Sequence, residues 1–258
     1  MIKKKFQKLL LKLGYYMTNL ILILGASSDL GCHLISNIKN KCTILAHYNS
    51  SKKNIDKVKK KISNEVITLK ADLSSENNTK KLINLIKSKY GIPNKIINFS
   101  SLKVENIRFK DLKWSDYQNE INVSLRSSFL IFNAFLPYLN KKDQGRVVIV
   151  LSSYVIGVPP KNLSNYITIK YAMLGLMKTL ASEYSEKNIL INSISPSMIE
   201  TKFLNKLNKK IIEINSFNNP LKRNANPKDI TPILKLLLFG KSNYLSGINI
   251  PITGGSNF

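Results

Sequence analysis

The 258-residue sequence predicts a single α/β domain, a doubly wound parallel sheet with helices on both faces. Three observations carry that expectation. Apolar runs of strand length alternate with segments of helical periodicity along the chain. The runs are nearly continuous in Ile, Leu and Val, as in strands covered on both faces. A glycine-containing turn follows the first run, at the carboxyl ends of the strands where ligands bind in such sheets.

Taken in order, Leu20–Leu24 is the first strand and Leu30–Ile38 the helix after it. Cys42–His47 and Val66–Ala71 are the second and third strands. Asn77–Tyr90 has helical periodicity and stops at Gly91-Ile92-Pro93. Lys95–Phe99 is the fourth strand, Trp114–Leu139 a long helical region and Arg146–Leu151 the fifth strand. Tyr166–Ser185 is a helix, Leu190–Ile194 the sixth strand, Asp229–Leu238 a late helix and Gly247–Ile252 the last strand. Right-handed crossovers between parallel strands place the helices on both sides. Thr201–Pro220 is polar and irregular in pattern and is expected to be a lid over the ligand.

Forty Lys+Arg stand against fifteen Asp+Glu, a net charge of +25. That balance suits nucleic acid, an anionic membrane or an acidic partner. The lysines are spread widely and few arginines accompany them, so a solvated surface is the favoured reading and nucleic acid is not expected. Cys32 and Cys42 are too few for a disulfide framework or a zinc site; a reduced, cytoplasmic setting and no metal are expected. No run of about 18 apolar residues is present for a spanning helix. Residues 1–18 read as a basic extension to a domain over 19–258. The stretch MIKKKFQKLLLKLGYY lacks a secretory cleavage site. Either the native start is Met17, the favoured reading, or the extension lies on a membrane or partner surface.

The turn Gly25-Ala26-Ser27-Ser28-Asp29-Leu30-Gly31 would let a pyrophosphate approach backbone and helix N-terminus, although a tight structural turn explains it nearly as well. The second strand ends in His47-Tyr48-Asn49-Ser50-Ser51-Lys52-Lys53, with no acidic residue to receive ribose hydroxyls. Polar and basic groups there favour NADP(H) over NAD(H). Asp72, before Leu73, either meets an adenine edge, the favoured reading, or caps the next helix.

Tyr166 and Lys170 lie four apart on a predicted helix and share a face. A nearby ammonium favours phenolate and is expected to lower the Tyr166 pKa. Tyr166 would then act as general acid toward a carbonyl oxygen. Ser153, at a strand end, would bond the same oxygen. A Tyr-x-x-x-Lys pair alone is common by chance; the serine and the glycine turn give it weight.

With these residues the sequence resembles the short-chain dehydrogenase/reductase family over roughly residues 19–256. The family's glycine loop resembles Leu24–Gly31, its aspartate after the third strand Asp72, and its Tyr-x-x-x-Lys Tyr166 to Lys170. Pro196-Ser197 followed by Thr201 resembles its Pro-Gly turn, and Gly247–Gly255 its terminal strand. Pro220–Arg223 and Pro227–Ile230 are similar to the segment around its late helix. The departures are Asp29 for the middle glycine, Asn98-Phe99-Ser100-Ser101 for Asn-Asn-Ala-Gly, and Ser197 for glycine. Counting from Gly145 selects Ser152 as the serine, and counting back from Tyr166 selects Ser153, which is preferred. The helical asparagine matches Asn122 by identity and Ser124 by position.

The resemblance implies a Rossmann fold and NAD(P)H-dependent reduction of a ketone to an alcohol, with Tyr166 as acid and Ser153 or Ser152 polarising the carbonyl. Lys170 would lower the Tyr166 pKa and hold the nicotinamide ribose, and Asn122 would complete the catalytic set. It implies a cofactor surface of Gly25, Ser27, Ser28, Asp29, Leu30, Gly31, Asn49, Ser50, Asp72, Leu73, Asn98, Tyr166, Lys170, Pro196, Ile199 and Thr201. It also implies a homodimer or homotetramer. The sequence looks most like the 3-oxoacyl-carrier-protein reductases, which implies a β-ketoacyl substrate and an acidic carrier as partner. A sugar or polyol reductase is the rival enzyme reading. A binding or scaffold protein that lost its cofactor, and a basic nucleic-acid or membrane-associated protein, are rivals of other classes.

Overall fold

The computed structural model describes residues 19–139 and 144–256; the expected extension over residues 1–18 lies outside them. Seven strands form one sheet: β1 (Leu20–Leu24), β2 (Thr43–Tyr48), β3 (Glu65–Lys70), β4 (Lys95–Asn98), β5 (Gly145–Val150), β6 (Ile189–Pro196) and β7 (Asn249–Ile252). Their order is β3-β2-β1-β4-β5-β6-β7 and every pairing is parallel. Strand order reverses between β1 and β4, the crevice where such sheets bind ligands.

The pleat sorts the apolar runs into two layers. On one face Leu20, Leu22 and Leu24 of β1 join Ile96, Val147 and Ile149. They pack against α3 (Glu76–Lys89), α5 (Ser127–Phe135) and α6 (Ser164–Tyr184). On the other, Ile21, Ile23, Ile97, Val148 and Ile194 meet α1 (Asp29–Asn37) and α8 (Pro227–Phe239), with Ile55 of α2 (Lys52–Lys59) alongside. Each residue of β1 is buried because both faces are covered. Edge strand β3 exposes Glu65 and Lys70 at its ends.

The long helical region is not one helix. It runs as α4 (Trp114–Glu120), a π turn (Ile121–Arg126) and α5, and in the π turn Ser127 N–H donates to the Asn122 carbonyl. Two helices were not expected. α2 lies in the lysine-rich segment after β2, and it buries only Ile55. α7 (Lys209–Asn218) lies within Thr201–Pro220 and buries no residue, so its pattern carries no apolar face. Among the described residues no helix is long and apolar enough to cross a membrane.

Candidate active site

A cavity of about 610 Å³ opens along the carboxyl ends of the strands. At one end lies the turn after β1. Gly25 has φ +69°, and a Cβ there would stand 3.2 Å from the Phe99 carbonyl carbon, so only glycine fits. Ser28 caps α1: its Oγ accepts from Gly31 N–H at 3.1 Å and donates to the Gly25 carbonyl at 2.9 Å. Ser27, Ser28, Asp29 and Leu30 line the cavity. Gly31 does not line it; it is buried under the turn, where a Cβ would meet the Ala26 carbonyl oxygen at 2.8 Å. Asp29 is not the cap either. Its carboxylate accepts the Lys202 backbone N–H at 2.7 Å, joining the turn to the lid.

Asn49 and Ser50 after β2, and Asp72 and Leu73 after β3, line the same end. Asp72 does not cap α3, because Ser75 accepts from Asn78 N–H and does so; Asp72 folds its own loop by accepting from Ser74 N–H at 2.9 Å. Asn98 was expected at the cofactor and is not among the lining residues. It is buried beneath, donating to Ser128 Oγ at 2.7 Å and accepting from Ser100 N–H at 2.8 Å. In its place Phe99, Ser100 and Ser101 face the cavity, and Ser100 Oγ is buried with no hydrogen-bond partner among the described residues.

At the other end stand Ser152, Tyr166 and Lys170. Of the two candidate serines, Ser152 lines the cavity and the preferred Ser153 does not. β5 ends at Val150, and Ser152 caps the 3-10 turn Ser153–Val155, its Oγ accepting from Tyr154 N–H at 3.4 Å and its hydroxyl beside that of Tyr166. Ser153 is turned into the interior and does not reach the cavity. Lys170 Nζ donates to the Val150 carbonyl at 3.2 Å and lies 5.3 Å from the Tyr166 ring centroid. The expected lowering of the Tyr166 pKa is reversed. Burial pushes the phenol up and the Glu120 charge adds to it, with only the neighbouring Ser152 hydroxyl opposing; the ammonium sits over the ring and bonds the backbone. The phenol therefore carries its proton at neutral pH, but as placed here it is a weaker acid than a free tyrosine.

Asn122 is not brought to the cavity; its side chain accepts from Gln118 at 3.0 Å. Ser124 is the buried residue of that turn and donates to Glu120 at 2.8 Å. Pro196, Ser197, Ile199 and Thr201 continue the wall after β6. The lid closes the substrate end with Phe203, Leu204 and Leu207, and Phe203 packs on Tyr166 with ring centroids 6.4 Å apart. Opposite stand Val104, Tyr154 and Leu163, so this end is apolar. Sequence reasoning missed these residues because they come from three loops without periodicity. Among the described residues no cluster of His, Cys, Asp or Glu could hold a metal ion.

The site fits a dinucleotide. Its volume lies in the usual range for ligand pockets, a glycine turn leads into a helix N-terminus, and Ser100 offers a spare hydroxyl. Fold and site together define a nucleotide-dependent oxidoreductase of the α/β class. Residues 38–257 match the family described as enoyl-(acyl carrier protein) reductase, and the chain belongs to it, within the short-chain dehydrogenases/reductases. It is 26% identical over 234 residues (90% of this chain, 95% of the other) to the 3-oxoacyl-[acyl-carrier-protein] reductase FabG of Buchnera aphidicola subsp. Baizongia pistaciae. It is 28% identical over 239 residues (91% and 96%) to that of Thermotoga maritima. Its fold is similar to a short-chain dehydrogenase/reductase of Serratia marcescens, with TM-score 0.84 at 19% identity over 93% of this chain and 98% of the other. A dehydrogenase of Burkholderia cenocepacia solved with bound NADP gives 0.83 at 21% identity over 93% and 94%. The chain is an NAD(P)-dependent reductase of ketones.

Proposed function

We propose that the chain reduces a 3-oxoacyl thioester to the 3-hydroxyacyl thioester, with NADPH preferred over NADH. The observation that carries this reading is the pair of hydroxyl-bearing side chains, Ser152 and Tyr166, lining the cavity together between a nucleotide-sized groove and an apolar pocket. When bound, the reduced nicotinamide supplies the hydride that goes to the carbonyl carbon. The Ser152 hydroxyl donates to the carbonyl oxygen and orients it. The Tyr166 O–H gives that oxygen its proton, and solvent returns a proton to the phenolate. Lys170 holds the nicotinamide ribose and supplies positive charge beside the phenol as it ionises. Gly25, Ser27 and Ser28 receive the pyrophosphate, and Asp72 meets the adenine edge. Asn49, Ser50 and the lysines of α2 suit a 2′-phosphate, where a carboxylate would be expected for NAD.

The apolar end favours an acyl chain over a sugar, whose hydroxyls would find no partners among Val104, Leu163, Leu204 and Leu207. An acidic carrier protein suits the +25 charge. We propose self-association too, supported by Trp114, Phe129 and Tyr171, exposed by 70%, 54% and 44% on α4, α5 and α6.

A panel of 3-oxoacyl thioesters, enoyl thioesters, simple ketones and ketoses, read by NADPH oxidation, tests the substrate. Turnover is expected to be greatest on 3-oxoacyl thioesters; preference for a ketose or an enoyl substrate would overturn the assignment. Tyr166→Phe is expected to bind NADPH as wild type does and to lose about 10²- to 10⁴-fold in turnover. Ser152→Ala is expected to follow it, while Ser153→Ala stays within a few-fold of wild type. Failure of both NADPH and NADH to bind below millimolar concentration would favour a scaffold protein.

A further inference from the structure

Glu120 ends α4 and is 2% exposed. A carboxylate so buried must be neutralised or heavily hydrogen-bonded. It has three donors. Ser124 Oγ donates to its Oε1 at 2.8 Å, Ser101 Oγ to the same oxygen at 3.2 Å, and the Leu102 N–H to the carboxylate. The π turn begins at the next residue, and Glu120 and Ser124 both face inward there. None of these donors carries charge, so the carboxylate's negative charge is left for another group.

The buried cation available to balance it is Lys170, 5% exposed on α6, which packs against α4, although the two groups make no direct ion pair. Its hydrogen bond to the Val150 carbonyl solvates the ammonium without balancing it. The other groups facing it are the phenols of Tyr166 and Tyr154 and the Ser152 hydroxyl. Burial pushes both phenols up, so neither is an anion near neutral pH. Burial pushes the Lys170 ammonium down to about 8, with Glu120 as the opposing charge. Burial likewise pushes the Glu120 carboxyl up, and Lys170 and the three donors pull it back.

We propose that Glu120 is the counter-charge that keeps Lys170 an ammonium at the cavity wall, a positioning residue that acts on Tyr166 through Lys170. This rests on the roles given above to Tyr166 and Lys170. It also gives one purpose to two residues where the chain departs from its family pattern, since Ser101 and Ser124 both donate to Glu120. A carboxylate that merely tied the 100–102 loop to α4 would leave the titration of Lys170 alone.

The test reads that titration directly. Lysine ¹³Cε resonances are followed against pH in wild type, Glu120→Gln and Glu120→Asp, with Lys170→Met identifying the signal. Lys170 is expected to titrate near 8 in wild type, at least tenfold more weakly protonated in Glu120→Gln, and in between in Glu120→Asp, which also guards against a misfolded glutamine variant. In parallel, the alkaline limb of kcat/KM for NADPH-dependent reduction should move to lower pH in Glu120→Gln and recover partly in Glu120→Asp. Unchanged Lys170 titration in folded variants overturns the proposal. The resonance does not depend on turnover, so a wild type that titrates as described but reduces no ketone would sink the functional reading and leave this pairing standing.

Discussion

His47, at the end of β2, shows how one side chain can hold a binding turn. It is 3% exposed, accepts from Gly25 N–H at Nδ1 (3.2 Å), and donates from Nε2 to the Ala71 carbonyl at 3.1 Å. These partners require the neutral ring, because an imidazolium would aim a second donor at Gly25 N–H. Burial pushes its pKa from 6.5 down to about 4. Between those values the unfolded chain binds the extra proton, so stability is full above about 6.5 and falls as pH drops toward 4. The loss is on the order of 3 kcal/mol. Denaturant unfolding between pH 7 and pH 4 should show this slope, and His47→Gln should flatten it; equal slopes would exclude His47 as the source. Tyr166 and Lys170 were legible because their spacing alone puts them on one helical face. His47, Asn98 and Glu120 were not, because each depends on at least one partner far away in sequence. His47 bonds Gly25 and Ala71, and Asn98 bonds Ser128.

At the scale of elements, α1 is fixed by how closely it approaches the turn before it. A Cβ on Gly31 would meet Ala26 backbone atoms at 2.8 to 3.0 Å, and no flexible side chain is there to yield. Gly31→Ala should push α1 off the turn, destabilise the fold by about 1–3 kcal/mol and weaken NADPH binding. A thermal melt and a fluorescence titration check both; wild-type values in both would show that α1 has room. The strands were legible because double-sided burial leaves a continuous apolar record, as in LILIL of β1. The weakly buried α2 and α7 left none. The choice between Asn122 by identity and Ser124 by position falls inside the π turn, where the wider coil departs from helical register.

Across the whole molecule, Trp114, Phe129 and Tyr171 leave apolar area uncovered on three helices of one side of the sheet. If self-association covers it, Phe129→Glu combined with Tyr171→Glu should halve or quarter the mass read by light scattering, without loss of helicity. A wild-type protein that is already monomeric at micromolar concentration would rule this out. The lid spans the cavity mouth between two ties. Lys202 N–H bonds Asp29 on the nucleotide side, and Lys206 pairs with Glu105 beside the apolar pocket. Both side chains of the ion pair are about half exposed, a setting in which such a contact contributes only about 0–1 kcal/mol. The door is therefore latched only lightly on that side, and moderate salt is expected to loosen that latch further.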